Sequence, residues 1–108
     1  MGQYVLKRTG AQFMFNLKAV NGETILTSER YTAKASAEGG IASVKAHSSH
    51  DLQYGRRTSS GGSPYFVLAA TNGQVIGTSE MYSSKTAMEG GIASCKTNGP
   101  TSPTKDET

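Results

Sequence analysis

Asn21-Gly22-Glu23-Thr24-Ile25-Leu26-Thr27-Ser28-Glu29-Arg30-Tyr31 returns as Asn72-Gly73-Gln74-Val75-Ile76-Gly77-Thr78-Ser79-Glu80-Met81-Tyr82, at a constant offset of 51 residues. The likeness runs on through Lys34 and Glu38-Gly39-Gly40-Ile41-Ala42-Ser43, answered by Lys85 and Glu89-Gly90-Gly91-Ile92-Ala93-Ser94, so that residues 15–48 overlay residues 66–99 without a gap. Self-similarity at a fixed period means that one supersecondary unit has been built twice. Units of about fifty residues are marginal alone and gain by sharing a core. One domain over residues 1–108 is therefore expected, with repeat one at 3–48, repeat two at 52–99 and a flexible tail at 100–108.

Within repeat one, Phe13, Phe15, Leu17 and Ala19 alternate with Met14, Asn16 and Lys18, the period of a half-buried strand. Asn21-Gly22 then marks a hairpin. A two-residue loop would set Leu17 opposite Leu26. A three-residue loop, with Gly22 left-handed in a bulge, sets Phe15 opposite Thr27, Leu17 opposite Ile25 and Ala19 opposite Glu23. The second register places residues identical in both repeats on one face, whereas Leu26 is replaced by Gly77, so it is the one expected. Tyr4-Val5-Leu6-Lys7-Arg8 reads as a preceding strand, with Gln53-Tyr54-Gly55-Arg56-Arg57 as its counterpart.

After Tyr31 the period lengthens: Ala33, Ala37, Ile41 and Val44 fall at helical spacing, with Thr32 and Ser83 as expected N-caps. Gly39-Gly40 and Gly90-Gly91 lie in mid-helix, where each glycine costs ~1 kcal/mol relative to alanine. A cost incurred twice implies close approach of the helix backbone to something, above all at Gly40 and Gly91. The expected fold is α+β: two tandem β-β-β-α repeats joined into one antiparallel sheet, with two helices packed on one face and pseudo-twofold symmetry.

Composition agrees with a thin core, since hydrophobic residues make up 35% of the chain, with 13 glycines and no tryptophan. Eleven basic and eight acidic side chains leave a net charge of +3, spread along the chain, which gives only weak reason to expect a polyanionic partner. The lone Cys95 excludes an internal disulfide, and no N-terminal apolar run reads as a leader or membrane span. A cytoplasmic protein is the expectation.

The Asn-Gly, Thr-Ser-Glu-x-Tyr, Lys and Gly-Ile-Ala-Ser-x-Lys set, at these spacings and present twice, resembles the YegP-like family of small bacterial proteins in its duplicated form. The resemblance implies β-β-β-α-β units, two per protein or one per subunit of a dimer, forming one sheet with exchange of C-terminal strands. It implies no activity, ligand or catalytic residue. Pro103 stands where a last strand would run and removes a ladder donor.

Three groups of residues bear on function. Thr27-Ser28-Glu29-x-Tyr31 and Thr78-Ser79-Glu80-x-Tyr82 lie where a strand runs into a helix start, where free N–H groups collect. A ligand or partner contact would comprise Ser28, Glu29, Tyr31 and Lys34 with Ser79, Glu80, Tyr82 and Lys85; the structural alternative is that these residues cap, pair and staple. Arg8 and Arg57, with Tyr4, Phe13, Tyr54 and Tyr65 nearby, offer a basic and aromatic surface for single-stranded nucleic acid. Cys95 stands in the slot of Val44 and reads as buried and inert, and His47 and His50 lack further metal ligands. No cofactor or metal is expected. The reading is a non-catalytic binding or interaction module of a bacterial cytoplasm, not an enzyme, monomeric rather than dimeric, without membrane contact; nucleic-acid binding is the alternative.

Overall fold

A computed structural model describes residues 2–108. Three strands, β1 (Gln3–Thr9), β2 (Gln12–Lys18) and β3 (Thr24–Ser28), lead into helix α1 (Lys34–His47). A 3-10 turn at Asp51–Gln53 opens repeat two, which runs β4 (Tyr54–Thr58), β5 (Pro64–Ala69), β6 (Val75–Thr78) and α2 (Lys85–Asn98), and the chain ends in β7 (Thr104–Asp106). The strands form one sheet in the order β4-β5-β6-β3-β2-β1-β7. Both helices pack on one face, over Phe15, Leu17, Leu26, Phe66 and Leu68, all fully buried.

The repeats join where β3 meets β6, with Thr27 opposite Thr78 and Ser28 opposite Gly77. Thr27 and Thr78 are equivalent residues, so the pseudo-twofold axis passes between them. It emerges through the helix layer at another equivalent pair, Ser48 and Gly99. A Cβ on Gly99 would lie 2.5 Å from the Ser48 Cβ. Tyrosines then lace the repeats together: Tyr4 of β1 donates its hydroxyl to the Gly99 carbonyl after α2, and Tyr54 of β4 donates to the Ser48 carbonyl after α1, both at 2.6 Å. Each repeat thus satisfies a carbonyl left over at the end of the other repeat's helix. Lys45 and Lys96 sit over the rings of Tyr4 and Tyr54 at 5.6 and 5.8 Å.

The hairpin register differs from expectation one step beyond the turn. At the tip the three-residue loop is present: Ala19 N–H donates to the Glu23 carbonyl at 2.9 Å, and Gly22 has φ +85°. A bulge opposite Leu17 and Lys18 then absorbs Ile25, so Leu17 faces Leu26 and Asn16 faces Thr27. The expected pairs Phe15–Thr27 and Leu17–Ile25 are not formed. The bulge lets the consecutive residues Ile25 and Leu26 both enter the core, which strict alternation forbids. Thr27 is carried to the opposite face, where Asn16 Nδ2 donates to its hydroxyl at 2.9 Å. Repeat two repeats the bulge at Ile76, with Leu68 facing Gly77.

Two further expectations are corrected. The N-caps are Ala33 and Ser84, each one residue later than Thr32 and Ser83; Ser84 Oγ accepts from the Ala87 N–H at 3.0 Å, whereas Ala33 has no capping side chain and is exposed rather than part of the apolar stripe. The tail at 100–108 is not loose: Tyr4 N–H donates to Pro103 O, Glu107 N–H donates to Leu6 O, both at 2.8 Å, and β7 lies parallel to β1, making the sheet mixed. Pro103 contributes only its carbonyl there, so its missing N–H costs nothing.

Gly40 and Gly91 are the close-approach positions. A Cβ on Gly40 would lie 2.5 Å from the Tyr31 hydroxyl and 2.9 Å from Phe15 Cε2, and one on Gly91 would overlap Tyr82, whereas around Gly39 and Gly90 there is open space. Gly40→Leu should therefore destabilise by ~3 kcal/mol through overpacking. Gly39→Ala should stabilise by ~1 kcal/mol, or about 5 °C in Tm. Thermal unfolding of the two variants checks the contrast; equal effects would show that the helix approaches the sheet differently.

Candidate functional site

The strand-to-helix segments carry one of the blocks of identity between the repeats, and the structure shows what most of that identity does. Ser28 is buried, its Oγ accepting from Phe15 N–H at 2.9 Å and donating to the Glu29 carbonyl at 2.7 Å. Ser79 repeats both bonds with Phe66 and Glu80. These hydroxyls replace a ladder partner where the strand breaks away, and nothing is left to offer a ligand. Tyr31 bridges to Phe13 through its backbone and lays its ring under Gly40; burial, with the Glu29 carboxylate adding to it, raises its phenol above the ordinary value. Tyr82 does the same beneath Gly91, stacked on Phe66 at 6.3 Å, and is raised chiefly by burial.

Glu29 and Glu80 are exposed, but they are not a pair. Because β3 and β6 run antiparallel through Thr27 and Thr78, the two glutamates diverge from the axis and stand roughly 13 Å apart along the sheet. That distance is too long for shared acid–base work on one bond.

Arg8 and Arg57 do not form a common surface either. Arg8 lies opposite Phe13 with its guanidinium 5.8 Å from that ring, on the helix-bearing side, and donates to the Gly10 carbonyl at 3.1 Å. Arg57 lies opposite Tyr65 on the open face. By pairing, Arg57 corresponds to Lys7, the slip arising because β1 and β4 are related by an offset of 50. Tyr4 and Tyr54 are buried against the helices. The aromatic platform expected for nucleic acid is therefore dismantled, leaving Tyr65 as its one member on the open face.

Cys95 is fully buried between the sheet and α2, and burial pushes its thiol up to about 11, against a smaller lowering by the Tyr54 hydroxyl. It is a small apolar filler, matching Val44. His47 ends α1 with Nδ1 2.8 Å from the Ser43 carbonyl. His50 lies in the connection; together with Asp51, Leu52 and Thr71 it borders a shallow cleft of about 550 Å³. Among the described residues no group of three or more ligating side chains could hold a metal ion.

The informative difference between repeats concerns Lys34 and Lys85, both at the first position of a helix. Lys34 Nζ bonds Asp106 Oδ2 of β7 at 2.6 Å, which raises the ammonium and holds the Asp106 carboxyl well below the usual range. Lys85 has no acidic partner among the described residues. It borders a cavity of about 230 Å³ with Arg56, Arg57, Thr58, Pro64, Met88 and Glu89, beside β4 at the edge of the sheet. Arg56 is clamped by Glu89, Nε to Oε2 at 2.6 Å and a second nitrogen to Oε1 at 3.0 Å, and also reaches Asp51 at 3.1 Å. Sequence reading placed Lys34 and Lys85 in a shared site but missed Asp106, whose role depends on a strand expected to be loose. The readable signal was a lysine present twice with a C-terminal acidic partner available once.

Ser28→Ala should cost ~1–3 kcal/mol, because it leaves the Phe15 N–H buried and unpaired. Changing Glu29 and Glu80 together to glutamine should leave stability within ~0.5 kcal/mol. Urea unfolding of the two proteins measures both, and a large loss in the glutamine variant would give the carboxylates a structural role they lack here.

Comparison with known proteins agrees with this architecture. Residues 9–54 and 59–106 each match the domain of unknown function DUF1508. A UPF0339 protein of Bordetella pertussis is 60% identical over 107 residues, covering 99% of this chain and 96% of that protein. The UPF0339 protein YegP of Escherichia coli strain K12 is 53% identical over 102 residues, covering 94% and 93%. The solution structure of E. coli yegP, described as a protein of unknown function, superimposes with a TM-score of 0.93 at 51% identity, covering 99% of this chain and 93% of that one. A UPF0339 protein from Shewanella oneidensis gives 0.92 at 48% identity, covering 97% and 90%. With two matched repeats and full-length relatives on both counts, the chain belongs to the UPF0339 family, the YegP-like proteins built from tandem DUF1508 repeats.

Proposed function

We propose that the protein is a small non-catalytic interaction module of the bacterial cytoplasm, monomeric, that binds another macromolecule through its uncovered sheet. The observation that carries this reading is the fate of the repeated polar residues. Ser28, Ser79, Tyr31 and Tyr82 are consumed in hydrogen bonds and packing, and the two repeated glutamates diverge. What remains for recognition is one flat face and one edge.

The face is defined by pairing. Val5, Asn16, Thr27, Thr78, Val67 and Gly55 form a row across six strands through the pseudo-twofold axis. Lys7, Lys18, Lys105 and Arg57 flank the row. Val5, Asn16 and Val67 are buried among their neighbours while Thr27, Thr78 and Gly55 are half-buried, so the flanking basic side chains present most of the contact surface. Such a face suits docking better than catalysis, which needs enclosed, preorganised groups.

The test is capture from a bacterial extract on the immobilised chain, followed by titration of each captured protein against the purified chain. The reading predicts a partner that binds with defined stoichiometry at moderate salt and is lost when Lys7 and Arg57 are both changed to glutamate. Retention of nucleic acid alone, falling steeply with salt, would replace it with polyanion binding; turnover of a small molecule would replace it with an enzyme.

A further inference from the structure

The two ends of the sheet are built alike but finished differently. At one end, β1 is covered by β7. At the other, β4, the equivalent of β1, is the terminal strand, because the segment after α1 passes directly into β4 and has no residues to spare for a covering strand. Repeat one therefore displays, within the same molecule, a strand bound to an edge that repeat two leaves open.

The bound example shows what the edge requires. Tyr4 and Leu6 turn their backbone groups outward to Pro103 and Glu107, and Asp106, level with Leu6 on the helix side, reaches Lys34. On β4 the corresponding residues are Tyr54 and Arg56, and the corresponding lysine is Lys85. The Tyr54 N–H is already given to the Asp51 carbonyl. The Tyr54 carbonyl and both backbone groups of Arg56 remain for a partner, as ladder alternation turns them away from β5. Arg56 stands where β1 has the buried Leu6, and the buried Met88 stands where α1 has Ala37. The cavity beside Lys85 is the place an Asp106-like side chain would enter. Glu89, turned onto Arg56, does not neutralise Lys85.

We propose that the outer edge of β4 accepts an extended acidic segment of another protein as an added parallel strand, with one carboxylate received by Lys85 as Asp106 is received by Lys34. Lys85 on the helix side and Arg57 on the open face select for an acidic strand, Arg56 being already held by Glu89 and Asp51, and backbone pairing supplies the rest of the affinity. The chain's own tail is not the occupant: tethered beside β1, it meets that edge at an effective concentration that a second molecule does not match. This inference rests on the reading of the chain as an interaction module and assigns the edge to it.

A synthetic peptide of residues 101–108 is the probe, added to the isotope-labelled full chain and followed by amide chemical shifts. Saturable shifts confined to Tyr54–Thr58 and Lys85 are expected, with affinity reduced roughly tenfold by asparagine at the Asp106 position of the peptide or by Lys85→Ala in the protein. Lys34→Ala, which loosens only the other edge, should leave peptide binding at β4 unchanged, and Lys85 is exposed enough for its variant to keep the wild-type melting temperature. Shifts in Gln3–Thr9 with β4 silent, indicating displacement of the resident tail, would overturn the proposal. So would absence of shifts, insensitivity to Lys85→Ala, or self-association without peptide in sedimentation, which would make a second copy the occupant. An extract partner that binds Lys85→Ala as well as wild type would sink the edge assignment and leave the module reading standing. Capture of no partner by the wild type would sink the module reading itself.

Discussion

Crowding at the pseudo-twofold axis is the constraint on which this molecule depends. Equivalent residues meet there, and on the axis of a true dimer they would have to be identical. Fusion of the repeats removes that requirement. A Cβ at Gly77 would lie 2.7 Å from Leu26 Cγ, so the large residue of repeat one fills the space vacated by its small equivalent in repeat two. Ser48 and Gly99 repeat the arrangement in the helix layer. Two large–small pairs at equivalent positions allow sheet and helices to close on one another without a void or a clash, the condition for native packing density. The β3–β6 seam is itself short, so this closure and the crossed Tyr4 and Tyr54 hydrogen bonds carry the union of the repeats.

The same asymmetry separates the two edges of the sheet. Where repeat one completes its edge with β7 and an ion pair, repeat two keeps a bare strand, a lysine with no acidic partner among the described residues and an arginine held aside by Glu89. Stability draws both on shared residues and on the unlike pairs at the axis, and the recognition proposed above falls on the edge that only repeat two leaves open. For a duplicated protein this reverses the usual use of internal identity: Ser28 with Ser79 and Tyr31 with Tyr82 are kept because both halves need them to fold.

What could be read from the sequence follows the range of the physics involved. The hairpin tip was legible because Gly22 needs a positive φ, a local property. The helix approach at Gly40 was legible because a mid-helix glycine repeated in both halves has a cost that only packing can offset. The bulge at Ile25 was not, since identity between the repeats favoured the other register: Leu26 differs from Gly77 because of crowding at the axis, although both Ile25 and Leu26 are core residues. Nor was β7, an exposed three-residue strand whose partners Tyr4, Leu6 and Lys34 lie about seventy to a hundred residues away in sequence. In the candidate site, Lys34 and Lys85 were found by repetition, but their difference could be seen only after β7 was placed beside one of them.

Native-state hydrogen exchange against denaturant tests most directly whether the axis makes one structure of two repeats. The slowest amides of β2 and β5, those of Leu17 and Leu68 among them, should converge on a single opening free energy with a single denaturant dependence. Two separate isotherms, with repeat two opening while repeat one stays protected, would contradict it.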